Sequence, residues 1–420
     1  MFYNRALEAT LRAISDTFPV LILTGPRQVG KTTLLRSMAE PGRKYVALDN
    51  PTDRALAKSD PELFLQRFSP PVIIDEVQYA PELFDYIKIH ADTHKNCGDY
   101  WLTGSQTFHL MKNVTESLAG RVGVVRMLGL SNSEIESTGF GPFKVDPQEL
   151  IGRLGTAKRL GLSAMFERIF KGSFPRLYEN PGVSRKLFYE SYLETYISRD
   201  VKDLTQATNE LSFLSFINIV AARTATNVNY EALAGETGVS APTAKQWLSV
   251  LVSGGLVALI PPYANNALKR TVKAPRMYFL DTGLCAYLTR INSPEFLEGS
   301  AMDGAFFETW VVSEIYKSYL NSGERPPLYF YRDQNKKEID IIIHQNNMVN
   351  PIEIKKGAAP KDAVKNFSVL NPIAGDSGDE DLFSGAARLK TEIGTGAVVC
   401  LASNVLPIDK KNWYVPAWLI

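Results

Sequence analysis

The run Val20-Leu21-Ile22-Leu23-Thr24 leads without a break into Gly25-Pro26-Arg27-Gln28-Val29-Gly30-Lys31-Thr32-Thr33, and then into the helical spacing of Leu34, Leu35 and Met38. A short apolar run bounded by glycine reads as a strand buried on both faces, and a strand that turns at once into a helix belongs to an α/β sheet. The pattern G-x-x-x-x-G-K-T at this junction is suited to gripping phosphate. Gly25 and Gly30 let the backbone turn its N–H groups inward, and the helix that opens at Lys31 adds the positive end of its dipole. Lys31 reaches the β and γ phosphates of a nucleotide, while Thr32 Oγ takes a place on Mg2+. The competing reading is an ordinary glycine-containing loop, and the strand before and helix after weigh against it.

With 420 residues and 45% apolar content, the chain has room for two or three domains with real cores. Its 46 basic and 45 acidic residues leave a net charge of +1, so no overall field draws it to nucleic acid or membrane. Any such partner must be met by a local patch. Cys97, Cys285 and Cys400 are too few and too scattered for a disulfide framework or a C-x-x-C metal site, which fits a reducing compartment. Residues Met1 to Glu8 read as an amphipathic helix instead of a basic-then-apolar signal, and no run reaches the roughly 20 apolar residues that span a membrane. The expectation is a soluble, cytoplasmic protein with no membrane partner.

Further along, Pro71-Val72-Ile73-Ile74-Asp75-Glu76 is an apolar strand ending in two carboxylates, the form of a Walker B strand. Asp75 would hold Mg2+ through its water shell and Glu76 would polarise the attacking water. A third strand, Tyr100 to Thr103, ends in Gly104-Ser105 at the edge where a parallel sheet meets its ligand. Thr103 there either senses the γ-phosphate or positions the water, or else Ser105 simply caps the next helix. Strands at about 19–24, 44–48, 72–75, 100–103 and 122–127, separated by helical stretches, predict a five-stranded parallel sheet.

The segment Glu116 to Arg121, just before the last of these strands, resembles the AAA+ ATPases, in which an arginine at this point reaches a neighbouring subunit's phosphate. The resemblance makes Arg121 an arginine-finger candidate and implies a homo-oligomer; a helix C-terminus also favours arginine through its dipole alone. Gly139 to Pro147 reads as a loop into a smaller helical lid that includes Leu187 to Asp200, where Arg199 would contact nucleotide or pair with Asp200 or Glu194.

After a linker near Thr205 to Asn209 come helices at 211–222, 230–240 and 242–254, the last with Ala244, Leu248 and Leu251 on one face and Thr243, Lys245 and Gln246 toward solvent. With strands at 256–260 and 277–280 this is similar to a winged helix-turn-helix. From Thr237 through Leu280 there is no Asp or Glu, yet Lys245, Lys269, Arg270, Lys273 and Arg276 all fall there. Such a local positive surface suits the phosphates of DNA, although many winged helices serve only as protein-packing modules.

Near the end, Glu308 lies on a predicted helix (305–315), Asp340 on a strand (337–343), and Glu353-Ile354-Lys355 on the next (349–355), a hairpin in which Glu353 and Lys355 share a face. This order resembles the PD-(D/E)xK nuclease fold. The resemblance implies metal-assisted phosphodiester hydrolysis, with Asp340 and Glu353 on Mg2+, Lys355 orienting the water and Glu308 completing the shell, or a catalytically silent relative. Taken together, the chain resembles a large family of bacterial and archaeal predicted ATPases whose C-terminal part has no assigned function. That implies ATP, a choice over GTP that no motif here makes. The expected domains are an ATPase core at 1–138, a helical lid at 139–208, a winged helix-turn-helix at 209–295 and a nuclease-like α/β domain at 296–420, with residues 371–385 as an exposed loop.

Overall fold

The computed structural model describes residues 3–105, 117–196, 210–263, 274–333, 335–370 and 392–420. Lys269, Arg270, Lys273, Arg199, Glu116 and the 371–385 segment lie outside the described residues.

The N-terminal unit holds α1 (Glu8–Ser15), β1 (Val20–Thr24), α2 (Lys31–Met38), β2 (Lys44–Ala47), α3 (Pro51–Ser59), α4 (Pro61–Arg67), β3 (Val72–Asp75), α5 (Leu83–His94), β4 (Tyr100–Gly104) and β5 (Val122–Arg126). Its five strands form one parallel sheet in the order β2-β3-β4-β1-β5, as the spacing of apolar runs predicts. Every residue of β1, β3 and β4 is buried, the burial expected of inner parallel strands, whereas edge strand β2 exposes Lys44 and Tyr45. Asn50 and Asp60 cap α3 and α4 on the backbone amides of Thr52 and Leu63, each with proline next in sequence.

A middle region follows: α6 (Asn132–Glu136), α7 (Pro147–Arg153), α8 (Leu162–Lys171), α9 (Arg176–Glu179), α10 (Arg185–Tyr196), α11 (Glu210–Ala222), β6 (Thr226–Asn227), α12 (Tyr230–Thr237), α13 (Ala241–Ser253), β7 (Val257–Ile260) and β8 (Arg276–Phe279). Strands β6, β8 and β7 form a three-stranded antiparallel sheet beside α11 to α13. On α13, Ala244, Leu248 and Leu251 are buried and Lys245 and Gln246 are exposed, in accord with the helical periodicity. Helix α8 packs against the helices that follow this sheet, α14 (Thr282–Leu288), α15 (Pro294–Glu298) and α16 (Asp303–Asn321).

In the C-terminal unit, β9 (Leu328–Arg332), β10 (Glu338–Gln345) and β11 (Met348–Ile354) run antiparallel, and β13 (Gly396–Cys400) and β15 (Asn412–Pro416) continue the sheet in parallel. Two short strands, β12 (Glu392–Ile393) and β14 (Leu406–Pro407), pair with β11 and β15. One hydrophobic cluster runs from Leu7 in the first unit through Phe216 and Tyr278 to Ile420, so the units share a core. Helix α16 is the hinge pin of that packing. Its buried Glu314 accepts the backbone N–H of Asn132 at 2.7 Å, and Lys317 donates to Glu314 at 2.5 Å and to the carbonyl of Leu130 at 2.9 Å.

Among the described residues no helix is long and apolar enough to cross a membrane.

Candidate functional site

At the carboxyl edge of the parallel sheet the backbone takes the conformations that the glycines permit. Gly25 has φ 139° and Gly30 φ 96°. A β-carbon on Gly25 would stand 2.0 Å from the carbonyl oxygen of Met127, so this position requires glycine twice over. Lys31, at the start of α2, is buried and lies across the loop with Nζ donating to the carbonyls of Gly25 (2.9 Å) and Pro26 (2.8 Å). Pro26 and Val29 are buried, Arg27 and Gly30 intermediate and Gln28 exposed. From behind, the guanidinium of Arg5 holds the loop by donating to the carbonyl of Val29 at 2.9 Å, while its Nε pairs with buried Glu134 at 2.9 Å.

Asp75, at the end of β3, is the hub. Its carboxylate accepts Thr32 Oγ1 from the P-loop at 2.9 and 3.0 Å, Tyr45 Oη from β2 at 3.0 Å, and Thr103 Oγ1 from β4. Two strands flanking β3 in the sheet and the first turn of α2 thus deliver hydroxyls to one acid. Burial, and then the charge of Asp75, pushes the Tyr45 phenol up to about 12, so it stays a donor at physiological pH. Glu76 follows in the left-handed region at φ 55°. Its backbone N–H donates to Thr103 Oγ1 at 3.2 Å, and its carboxylate accepts Gln78 Nε2 at 2.5 Å and Ser105 Oγ at 3.1 Å. A glycine-lined cradle beside hard oxygen donors fits a nucleotide phosphate and a divalent cation.

Lys31, Thr32, Asp75, Glu76 and Thr103 are therefore brought together. Arg121 is not among them: it precedes β5 at the amino edge of the sheet, opposite the P-loop, and grips Asp92 through two nitrogens, one at 2.9 Å. Ser105, for which a cap on the next segment is one of the two readings, donates its hydroxyl to Glu76; that next segment, 106–116, lies outside the described residues. Tyr45 and Gln78 are absent from the sequence reading; only β2 pairing beside β3 brings Tyr45 to Asp75.

A second cluster forms where β8 meets α16 and the β10–β11 hairpin. Here one sequence expectation is overturned: Arg276, counted with the positive surface, is 4% exposed. Its guanidinium pairs with Glu308 at 3.3 Å, with Glu338, and with Asp340 at 3.9 Å, and stacks over Phe330 at 4.9 Å. Counting charges along one stretch cannot reveal that β8 packs against acids on a later helix and hairpin. Tyr278, two residues on, donates to Glu308 Oε1 at 2.7 Å. Lys245 remains exposed.

The register between β9 and β10 slips between Ile339 and Ile342, a bulge that contains Asp340. Asp340 Oδ2 accepts the backbone N–H of Ile354 at 2.8 Å, and Lys355 Nζ sits 2.6 Å from Glu353 and 3.7 Å from Asp340. Burial foremost, with the neighbouring charge of Asp340, raises Glu308 to about 8 and Glu353 to about 7; burial also raises Asp340. Glu308, Asp340, Glu353 and Lys355 therefore meet as expected, but as an ion-paired cluster. Among the described residues no three Asp, Glu, His or Cys side chains are gathered closely enough to hold a metal ion.

Residues 17–136 match the family described as AAA domain. Residues 162–295 and 303–420 match two domains of unknown function, DUF8612 and DUF4143. With its parallel sheet and P-loop, the N-terminal unit has the fold of a P-loop nucleotide-binding domain and is similar to the AAA domain family. Uncharacterized proteins of Mycobacterium tuberculosis and Mycobacterium bovis are each 28% identical over 358 residues, covering 85% of this chain and 75% of theirs. Among solved structures the chain is similar to a Walker-type ATPase of Pyrococcus abyssi, at 15% identity and a TM-score of 0.44 over 69% of this chain and 96% of that one. It is also similar to the Thermotoga maritima RuvB Holliday junction branch migration motor, at 16% identity and a TM-score of 0.29 over 61% and 87% of the two chains.

Proposed function

We propose that this chain is a Mg2+-dependent ATP hydrolase whose cycle controls a nucleic-acid-directed C-terminal half. The observation that carries the reading is the convergence of Thr32, Tyr45 and Thr103 on Asp75, with Glu76 next in sequence. In this reading Lys31 and the loop amides of residues 25–33 neutralise the phosphates, and Thr32 and Asp75 hold Mg2+, which when bound offsets phosphate charge. Glu76, released from Gln78 and Ser105, orients the water, and Thr103 keeps it in register with Asp75. Arg121 would leave Asp92 to reach the phosphate of a neighbouring copy, which makes the working form a homo-oligomer in the cytoplasm.

The order α11-β6-α12-α13-β7-β8 supports the winged-helix reading, in which exposed Lys245 on the third helix would meet DNA. The order α16-β9-β10-β11 followed by parallel β13 supports the nuclease-like reading of the C-terminal half. ATP turnover of the full chain, measured with and without linear and branched DNA, tests the coupling: a severalfold change on adding DNA is expected, and identical turnover refutes it. A second reading, an ATP-gated regulator with a silent C-terminal domain, is favoured by the neutralisation of Asp340 and Glu308 by Arg276. DNA cleavage with Mg2+ or Mn2+ that Asp340→Ala abolishes would exclude it.

A further inference from the structure

Arg5 precedes α1 and belongs to none of the phosphate-binding motifs, yet its side chain is buried against the P-loop. Its guanidinium donates through Nη1 to the carbonyl of Val29 at 2.9 Å, through Nη2 to those of Leu128 at 2.8 Å and Gly129 at 3.4 Å, and through Nε to Glu134 Oε1 at 2.9 Å. A rigid planar fork can bridge three segments at once, which the single ammonium of a lysine cannot do. Glu134 is fixed in turn, with Oε1 accepting the backbone N–H of Ala6 at 2.9 Å and Oε2 that of Ser131 at 2.8 Å. The stretch 128–134 that braces Arg5 is itself pinned from α16, by Lys317 on the carbonyl of Leu130 and Glu314 on the amide of Asn132.

A trans peptide group carries its C=O and N–H on opposite sides, so a Val29 oxygen held by Arg5 turns the Gly30 N–H to the other face of the loop. The loop needs such a restraint. Gln28, which has a β-carbon, stands at φ 60°, and a left-handed residue of this kind persists only where its surroundings hold it. We infer that Arg5 is a positioning residue of the phosphate site: it aims the Gly30 amide at the phosphate, and Glu134 aims Arg5. The inference rests on the reading of this loop as a nucleotide-phosphate grip. An N–H already aimed at a charged oxygen makes one of the stronger hydrogen bonds. ATP and ADP both present phosphate to the loop, so misaiming this donor weakens the binding of both and leaves the chemical step nearly untouched.

Calorimetric titration of the full chain with Mg-ADP, beside steady-state turnover of Mg-ATP, tests this. Arg5→Lys keeps a charge opposite Glu134 but loses the fork. It is expected to raise the Kd for ADP and the KM for ATP by roughly tenfold, with kcat changed less than threefold. The double variant Arg5→Met, Glu134→Gln removes both charges and keeps a side chain able to accept from Ser131, so it serves if a lone charge prevents folding. The same loss of affinity is expected from it at an unfolding midpoint near that of the wild type. Unchanged nucleotide affinity in either folded variant, whether the unfolding midpoint or kcat falls or not, overturns the inference alone. Wild-type protein that binds neither nucleotide overturns the phosphate reading itself, and this inference with it.

Discussion

Gly255, in the turn between α13 and β7, lies so close to the P-loop that a β-carbon there would stand 3.0 Å from Cδ of Pro26. The turn that ends the third helix of the middle region therefore rests on the loop expected to carry phosphate. Leu128, beyond β5, lies at 3.3 Å from the same point.

Gly255 has φ 74°, so Gly255→Ala combines a left-handed penalty of about 1–2 kcal/mol with displacement of the turn from Pro26. The expected outcome is a lower unfolding midpoint together with severalfold weaker ATP binding, read with a fluorescent nucleotide. Weaker stability with unchanged affinity would show that the contact transmits nothing.

Removing the Tyr45 hydroxyl in Tyr45→Phe deletes one of the donors to Asp75, worth about 0.5–1.5 kcal/mol. The Mg2+ concentration for half-maximal turnover should rise by roughly two- to tenfold, with ATP affinity in the absence of Mg2+ unchanged. Thr103→Val should act in the same direction, and more strongly, because Glu76 loses its backbone partner as well.

Lys31→Ala should abolish ATP binding, whereas Glu76→Gln should bind ATP and hydrolyse it slower by about 10²–10⁴-fold. Single-turnover assays separate the two effects. Normal turnover in either variant would overturn the assignment.

Glu308 and Glu353 are raised to about 8 and about 7, far above the ordinary carboxylate range near 4.5. The folded state then binds more protons than the unfolded chain between about pH 4.5 and 8, so these groups stabilise the fold at the acidic end and lose that contribution as pH rises. Thermal midpoints of the wild type should fall from pH 6 to pH 8.5, and Glu308→Gln should flatten the slope.

Breaking the buried Glu314–Lys317 pair from one side leaves an uncompensated charge. Lys317→Met should cost about 3–5 kcal/mol, measured by urea unfolding. The Glu314→Gln, Lys317→Met double variant should recover part of that loss.

The parallel sheet was legible because its strands are buried on both faces and announce themselves as apolar runs between turns. Lys31, Thr32, Asp75 and Glu76 were legible because chain direction alone brings the carboxyl ends of β1 and β3 together. Tyr45 was not, since strand order in a sheet is a nonlocal property and nothing in Lys44-Tyr45-Val46 marks it as a neighbour of Asp75. Arg276 was misread for a related reason: a charge is assigned to a surface by its sequence neighbours, but buried by partners 32 and 62 positions away. The bulge at Asp340 likewise leaves no trace in the alternation of Ile339 to Ile343.

Helix α16 carries Glu308 toward one end and Glu314 and Lys317 further along, the latter pair fastened to Leu130 and Asn132 in the segment that leaves the first unit after β5. Tyr319 Oη also donates to the carbonyl of Phe143 at 2.8 Å, and Arg153 donates to that of Leu419 at 3.1 Å. A fragment cut after residue 302 would strip donors and acceptors from Leu130, Asn132 and Phe143 and bare the apolar surface they border. The three units are consequently poor candidates for independent expression or for exchange between homologues, because the C-terminal one supplies part of the interior of the first.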